Sequence, residues 1–220
     1  MHSFKKLLKV GVRSQMQRVS DSLIFKYRGL VGVICLFPIG TAIIFSSPLI
    51  AEDTFLDLAM DALGWLCFVI YATFRIWATL YVGGRKDKEL QTQGPYSITR
   101  NPLYFGSFCF ALSASFFLKS ILLPIATVIT IAVYSRWVIA AEEQVLLKTF
   151  GDAFSTYVQS TSRLLPRFSH YQATDFVEVN LKAMKTEAKR LWRAAAFTVI
   201  IEFIMHLRTA SWWPHWFNLL

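Results

Sequence analysis

Residues 58–82 read LAMDALGWLCFVIYATFRIWATLYV, an apolar run that is interrupted only by Asp61 and Arg75. A helix needs about 20 apolar residues to cross the hydrocarbon core of a bilayer, and this run is long enough. Hydrophobic residues make up 55% of the chain and charged residues only 17%, which is typical of a membrane protein. The further apolar runs are Leu30–Ile50, Pro102–Leu118, Ile121–Ala141 and the weaker Ala194–Leu207. The sequence therefore predicts an all-α, polytopic transmembrane helix bundle with about five membrane segments.

Basic residues are distributed unevenly along the chain, whose formal net charge is +9. They concentrate in residues 1–28, 83–101 and 142–193, whereas residues 51–57 carry acidic side chains. Cytoplasmic loops of membrane proteins are enriched in Lys and Arg, so we expect the N-terminus and the two later basic segments on the cytoplasmic side. The charge is explained by membrane topology, and we expect no nucleic-acid partner. Whether residues 194–220 span the membrane or lie in its interface stays open.

The chain divides into a basic arm and one larger domain. In residues 1–28, apolar residues recur at helical spacing with Lys and Arg between them, which indicates an amphipathic helix on an anionic membrane surface. A solvated tail is the alternative. Residues 29–220 contain no internal repeat or linker, and we expect them to form a single membrane domain. The cysteines have neither metal-site nor disulfide spacing, so we expect no bound metal.

Two polar motifs bracket the third and fourth apolar runs. They are GPYSITRNPLYFG at residues 94–106, and then Glu142-Glu143 followed by Phe150-Gly151, Tyr157 and RLLP at residues 163–166. Proline is well tolerated in the first turn of a helix, so Pro102 predicts the start of the third helix with Asn101 as its N-cap. Residues 143–157 are predicted to form a polar helix with Val145, Leu146, Phe150 and Phe154 on one face. The intervening hairpin returns the chain to its starting side, so both motifs should lie at the cytoplasmic interface.

Together and in this order, the two motifs resemble the core of the isoprenylcysteine carboxyl methyltransferase and phospholipid methyltransferase family of integral membrane enzymes. The resemblance covers residues 80–168. It implies S-adenosylmethionine as the cofactor, bound at the cytoplasmic face, and methyl transfer to a lipid-like or membrane-embedded acceptor. The expected partners are the lipid bilayer and that acceptor, while the oligomeric state cannot be read from the sequence.

The motif residues suit the chemical groups of S-adenosylmethionine. A helix N-terminus and Arg100 suit its carboxylate, while Glu142 and Glu143 suit its amino group or ribose hydroxyls. Tyrosine rings suit the adenine or the sulfonium, and Gly106 allows a ligand or another helix to approach closely. The predicted cofactor-binding residues are Tyr96, Arg100, Asn101, Pro102, Tyr104, Gly106, Glu142, Glu143, Tyr157 and Arg163.

The predicted catalytic residues are Arg100, Asn101 and Arg136. Arg136 precedes Glu142 by less than two helical turns and could pair with a carboxylate of the cofactor or of the acceptor. Many family members have His where this chain has Asn101, and an amide cannot titrate as a base. A carboxylate acceptor is already anionic and needs no base, so this change favours a carboxylate of the isoprenylcysteine type.

Two other functions remain open. Residues 100–106, RNPLYFG, also resemble membrane NADPH-dependent reductases of the sterol reductase kind. A non-catalytic membrane scaffold is the second alternative. The Glu142-Glu143 pair and the Phe-Gly-x-x-Phe-x-x-Tyr pattern at residues 150–157 favour a methyltransferase. Glu202 and His206 share a helix face and could pair with each other, but their role stays open.

Overall fold

The computed structural model describes residues 37–47, 50, 53–84, 89–120 and 122–216. Helices dominate these residues, and no β-strand element occurs among them, so the predicted all-α class is confirmed. The basic arm predicted at residues 1–28 lies outside the described residues and stays a prediction.

The helices follow one another with short connections. They are α1 (Phe55–Val82), α2 (Pro95–Ile98), α3 (Pro102–Phe117), α4 (Leu122–Tyr134), α5 (Ala140–Phe150), α6 (Asp152–Ser160) and α7 (Leu181–Leu207). A π-helical turn, Ser135–Ile139, joins α4 to α5, and a 3-10 turn covers Phe168–His170. Residues 37–44 are helical as well.

Helix α3 packs antiparallel against α1. The Thr54 hydroxyl caps the start of α1 by accepting a hydrogen bond from the Asp57 amide at 3.3 Å, and Gly83 ends this helix. Gly64 allows the two helices to approach, because a Cβ at this position would lie 2.9 Å from the Phe117 ring. The Ser113 hydroxyl then donates to the Gly64 carbonyl at 2.8 Å. This contact fixes the end of α3 beside the first half of α1.

Helix α7 completes a three-helix core. It begins after Asn180, whose side-chain oxygen accepts from the Ala183 amide at 2.9 Å. The buried residues Tyr71, Cys109 and Ala194, from α1, α3 and α7 respectively, pack in one cluster. The start of α7 lies beside the end of α1, since a Cβ at Gly83 would lie 3.0 Å from the Cβ of Ala183. Arg75 donates both to Glu187 of α7 and to the Leu103 carbonyl in the first turn of α3, so these three helix ends form the end of the bundle that carries both motifs.

The prediction of one continuous helix over residues 143–157 is wrong. The helix that crosses the Glu pair runs on to Phe150, and Gly151 then adopts a φ of 55° and starts α6 in a new direction. A positive φ is readily accessible only to glycine, so the glycine at position 151 explains why the helix breaks there. The break turns α6 back towards the first motif.

Two stretches within the described residues are long and apolar enough to cross a membrane. They are α1 and the continuous helical segment Leu123–Phe150, while α3 is apolar but shorter. The run at Leu30–Ile50 lies largely outside the described residues, and Ala194–Leu207 forms the second half of α7. The count of about five membrane segments therefore stays a prediction.

Candidate cofactor site

The first motif is held against the segment that follows α6. The Arg100 amide donates to the Ser162 carbonyl at 2.9 Å, and the Arg167 amide donates to the Ile98 carbonyl at 2.9 Å. These bonds join segments that are separated by a whole helical hairpin in the sequence. They place the start of α3 beside the residues that follow α6.

A buried ion-pair network connects the two motifs. Arg100 Nε donates to Glu143 Oε1 at 2.8 Å, and both side chains are almost wholly buried. Arg163 Nη2 lies 2.9 Å from the other oxygen of Glu143. Arg100 Nη1 also donates to the carbonyls of Val158 and Thr161, at 2.9 and 2.7 Å. Glu143 therefore holds the Arg100 guanidinium between α3, α5 and α6.

Two tyrosines make further links between the motifs. The Tyr104 hydroxyl donates to Glu142 Oε1 at 2.8 Å, which joins α3 to α5. The Tyr157 hydroxyl donates to the Tyr96 carbonyl at 2.6 Å, which joins α6 to α2. Each of these predicted residues thus has a defined partner in the opposite motif.

The linked motif residues surround a cavity of about 130 Å³. The predicted site residues in its lining are Tyr96, Arg100, Asn101, Pro102, Tyr104, Glu142, Glu143 and Tyr157. The remaining lining residues are Val82, Glu89, Leu90, Gln91, Leu103, Leu146, Phe150 and Phe154. Most of the predicted set, drawn from two distant parts of the sequence, therefore meets at one place.

Three predicted residues do not line the cavity. Gly106 faces α1, where an added Cβ would lie 3.1 Å from Arg75 Cγ and 3.3 Å from the Tyr71 carbonyl oxygen. It therefore allows the approach of another helix, which was one of the two alternatives. Arg163 stands behind Glu143, and Arg136 is exposed on the π-helical turn.

Asn101 occupies the predicted N-cap position, but its side chain does not cap the helix. Its Nδ2 atom donates instead to the Arg163 carbonyl at 2.9 Å. The expectation of a capping hydrogen bond is therefore wrong. The amide links α3 to the segment after α6, and Asn101 leaves the first turn of α3 without a side-chain acceptor of its own.

Burial changes the pKa values of two tyrosines in the cavity wall, Tyr96 and Tyr157. Desolvation raises the pKa of both the Tyr157 and Tyr96 hydroxyls well above the ordinary value, and Glu143 adds to the effect at Tyr157. The nearby Arg100 guanidinium acts in the opposite direction on the pKa of Tyr157. Both hydroxyls are therefore protonated near neutral pH, and that of Tyr157 serves as a hydrogen-bond donor rather than a base.

Part of the cavity wall carries no sequence pattern that indicates a ligand site. Leu146, Phe150 and Phe154 form an apolar side of the cavity. Their shared face was visible in the spacing, but it indicated packing and not a ligand. Glu89 to Gln91 come from the polar loop after α1, and no local pattern marks them as part of a site.

Glu202 lies far from this cavity. It is close enough to Asp57, Asp61 and Lys119 for their charges to act on it, and Asp57 is in the first turn of α1. This is the end of the bundle opposite both motifs. Among the described residues, no group of three or more His, Cys, Asp and Glu side chains is placed to hold a metal ion.

The cavity joins a helix start, a carboxylate pair and tyrosine side chains at one end of an apolar helical bundle. Residues 55–153 match the family described as phospholipid methyltransferase, which confirms the resemblance to that family of membrane methyltransferases. The match begins before the region of resemblance at residues 80–168 and ends before it does. Methyltransferases of this family use S-adenosylmethionine. The family and the two long apolar helices identify a membrane protein.

Two relatives extend the similarity beyond the family region. The chain is 29% identical over 164 residues to the nickel-cobalt-cadmium resistance protein NccN of Alcaligenes xylosoxydans xylosoxydans, covering 74% of this chain and 76% of that protein. It is 25% identical over 190 residues to the cobalt-zinc-cadmium resistance protein CzcN of Cupriavidus metallidurans, covering 86% of this chain and 87% of that protein. No solved structure matches the chain.

Proposed function

We propose that this chain is an S-adenosylmethionine-dependent methyltransferase that acts on a lipid-like or membrane-embedded acceptor. The observation that carries the proposal is the meeting of the two motifs at one cavity. Arg100 and Tyr104 of the first motif bond to Glu143 and Glu142 of the second, at 2.8 Å in each case. The family match covers these four residues.

The groups in the cavity fit the parts of the cofactor. The start of α3 offers amide donors for a carboxylate, because Asn101 does not cap it. Glu142 suits the amino group, and the apolar wall at Leu146 and Phe150 suits the adenosine. When bound, S-adenosylmethionine supplies a methyl group on a cationic sulfonium. Ligand pockets usually exceed about 300 Å³, so we expect the lining to open on binding.

We assign different tasks to the two glutamates. Both oxygens of Glu143 are held by arginines, so it serves as a positioning residue that fixes Arg100. Glu142 lies in the cavity wall, where its Oε1 atom accepts from Tyr104, and we propose that it contacts the cofactor directly. Arg163 supports Glu143 from behind. Arg136 is exposed on the π-helical turn, and its pairing with a carboxylate of the cofactor or of the acceptor stays a prediction.

We favour a carboxylate as the methyl acceptor. The described residues that line the cavity include neither His nor Lys, and burial keeps Tyr157 and Tyr96 protonated. An anionic oxygen nucleophile needs no proton removed before it reacts, so the task of the protein is alignment and exclusion of water. We propose that the cavity faces the cytoplasm, in line with the basic loops, and that the acceptor enters from the bilayer.

Cofactor binding is the first experiment. Purified protein in detergent is titrated with S-adenosylhomocysteine and with NADPH by calorimetry. We expect heat of binding with S-adenosylhomocysteine, and the Glu142→Gln variant should bind it more weakly because the carboxylate for the amino group is lost. Preference for NADPH in folded protein would reject the methyltransferase in favour of a membrane reductase. Binding of neither would favour a scaffold.

The names of the relatives suggest a physiological setting. We propose that methylation of a membrane component contributes to tolerance of metals such as cobalt and cadmium. Cells that express the wild-type chain should grow at higher cobalt concentrations than cells that express Glu142→Gln at the same membrane level. Equal growth of the two strains would mean that metal tolerance does not depend on the cofactor cavity.

A further inference from the structure

A second cavity lies between α1, α3 and α7 on the other side of the first turns of α3. It is an open groove of about 390 Å³. Its upper wall carries Arg75, Arg190 and Arg193, and its lower wall carries Phe110 and Phe197. None of these residues lines the cofactor cavity. The groove is therefore separate from the proposed methyltransferase site.

The polar part of the groove carries excess positive charge. Glu187 is buried and binds Arg75 with both oxygens, at 2.5 and 2.8 Å, and its Oε2 atom also lies 3.1 Å from Arg190 Nη1. Two guanidinium groups therefore share one carboxylate, and Arg193 adds a third positive charge to the groove. Arg190 keeps about half of its side-chain surface exposed, and Arg193 is exposed as well. Arginine is suited to phosphate because its planar group presents several donors to one anion.

The apolar part of the groove follows the apolar half of α7. Phe110 lies 4.9 Å from the Tyr71 ring and 6.2 Å from the Phe197 ring, measured between centroids. The exposed fraction of the Phe197 side chain is 49%. Helix α7 changes from a charged to an apolar sequence between Arg193 and Ala194. Along α7, the two arginines of the groove thus lie in the charged half of the helix and Phe197 lies in the apolar half.

We propose that this groove binds an anionic phospholipid of the surrounding bilayer. The phosphate lies between Arg190 and Arg193, and one acyl chain lies along Phe110 and Phe197. Basic pockets between membrane helices on the cytoplasmic side are suited to anionic headgroups. The proposal rests on the groove and on the membrane location of the chain, and it does not require the methyltransferase activity. Bound lipid would connect α7 to the α1–α3 pair beside the cofactor cavity.

Native mass spectrometry of the full chain in a neutral detergent tests the proposal. The protein is titrated with dioleoyl phosphatidylglycerol and with dioleoyl phosphatidylcholine, which have identical chains and differ in headgroup charge. We expect tighter binding of phosphatidylglycerol. In the Arg190→Gln/Arg193→Gln variant its affinity should fall about 30-fold, which corresponds to about fivefold for each arginine near an anionic headgroup. Arg75 stays intact, so Glu187 keeps its buried partner.

The matched control is Lys182→Gln/Lys185→Gln. It removes the same charge from exposed positions of the same helix, outside the groove. An equal loss of affinity in this control would mean that surface charge alone attracts the lipid, and it would overturn the proposal. Equal binding of phosphatidylcholine and phosphatidylglycerol by the wild-type protein would overturn it as well.

A second pair of variants tests the acyl-chain part. Phe197→Ser should weaken phosphatidylglycerol binding, whereas Phe203→Ser, an exposed apolar position outside the groove, should not. Excess soluble glycerol phosphate should fail to displace the lipid, because it has no chain to bury. Displacement at concentrations similar to that of the lipid would show a simple anion site and refute the lipid.

Discussion

Substitutions of Glu143 and of Glu142 should affect different properties of the protein: its stability in the first case and its cofactor binding in the second. Replacing Glu143 with alanine removes the only carboxylate bonded to Arg100 in the described network and leaves that guanidinium buried. Arg100 keeps its bonds to the carbonyls of Val158 and Thr161, but carbonyls do not neutralise its charge. We therefore expect Glu143→Ala to destabilise the folded protein.

The size of the effect follows from burial. Removing one partner of a buried ion pair costs about 3–5 kcal/mol, because the other charge is left without compensation. Arg163 adds little, since its side chain is 41% exposed and exposed pairs contribute at most about 1 kcal/mol. For a chain of this size, such a loss corresponds to a Tm lower by roughly 10 °C.

The neighbouring residue provides the contrast. Glu142→Ala removes a hydrogen bond to Tyr104, and the loss should be about 1 kcal/mol, or a few degrees in Tm. If Glu142 holds the amino group of the cofactor, this variant should nevertheless bind S-adenosylhomocysteine much more weakly. One variant is thus expected to lose mainly stability, and the other mainly binding.

Thermal unfolding in detergent and calorimetric titration measure the two properties. The double variant Glu143→Ala/Arg100→Met should be more stable than the sum of the single changes predicts, because no buried charge is then left alone. A Glu143→Ala protein with the wild-type Tm would refute the buried-pair argument. Wild-type cofactor affinity in Glu142→Ala would remove that residue from the site.

Three further predictions follow from individual contacts. Gly106→Leu should crowd Arg75 and lower the Tm through about 1–3 kcal/mol of overpacking, yet leave the cofactor affinity of folded protein unchanged, as calorimetry can check. Tyr157→Phe should cost about 1 kcal/mol through its lost bond to the Tyr96 carbonyl, measured as a lower Tm. Burial raises the pKa of Tyr157 in the folded state above its value in the unfolded chain. The stabilisation that results is complete below about pH 10 and is lost as the pH rises through the folded-state pKa. Tyr157→Phe should therefore lessen the fall in the free energy of unfolding at alkaline pH. Equal alkaline profiles would contradict this assignment.

The helical class followed directly from local sequence. Residues 58–82 are too long and too apolar for a strand, and in the structure Gly83 ends the helix directly after this run. The turn at Gly151 was less readable, since the apolar residues on either side of it keep a helical spacing. Only a positive φ at the glycine breaks that helix, and spacing carries no information about backbone angles.

The sequence predicted which residues form the site, but it did not predict which of them line the cavity and which support its wall. Tyr96, Arg100 and Glu142 do line one cavity, because a hairpin returns the chain to its starting side. Whether a residue faces the cavity or supports its wall depends on which partners fold against it. Both oxygens of Glu143 face arginines, and Gly106 faces α1, and neither orientation has a local signature.

The sequence by itself determined the apolar helices, the polar motifs and their order, because these depend on composition and periodicity along short segments. Tertiary structure decided which motif residues share the cavity and which hold them there. It also created the arginine groove, since Arg75 and Glu187 lie in different helices and meet only when α7 packs beside α1. Contacts between residues that are far apart in the chain arise from the packing of whole helices, and no local pattern specifies that packing.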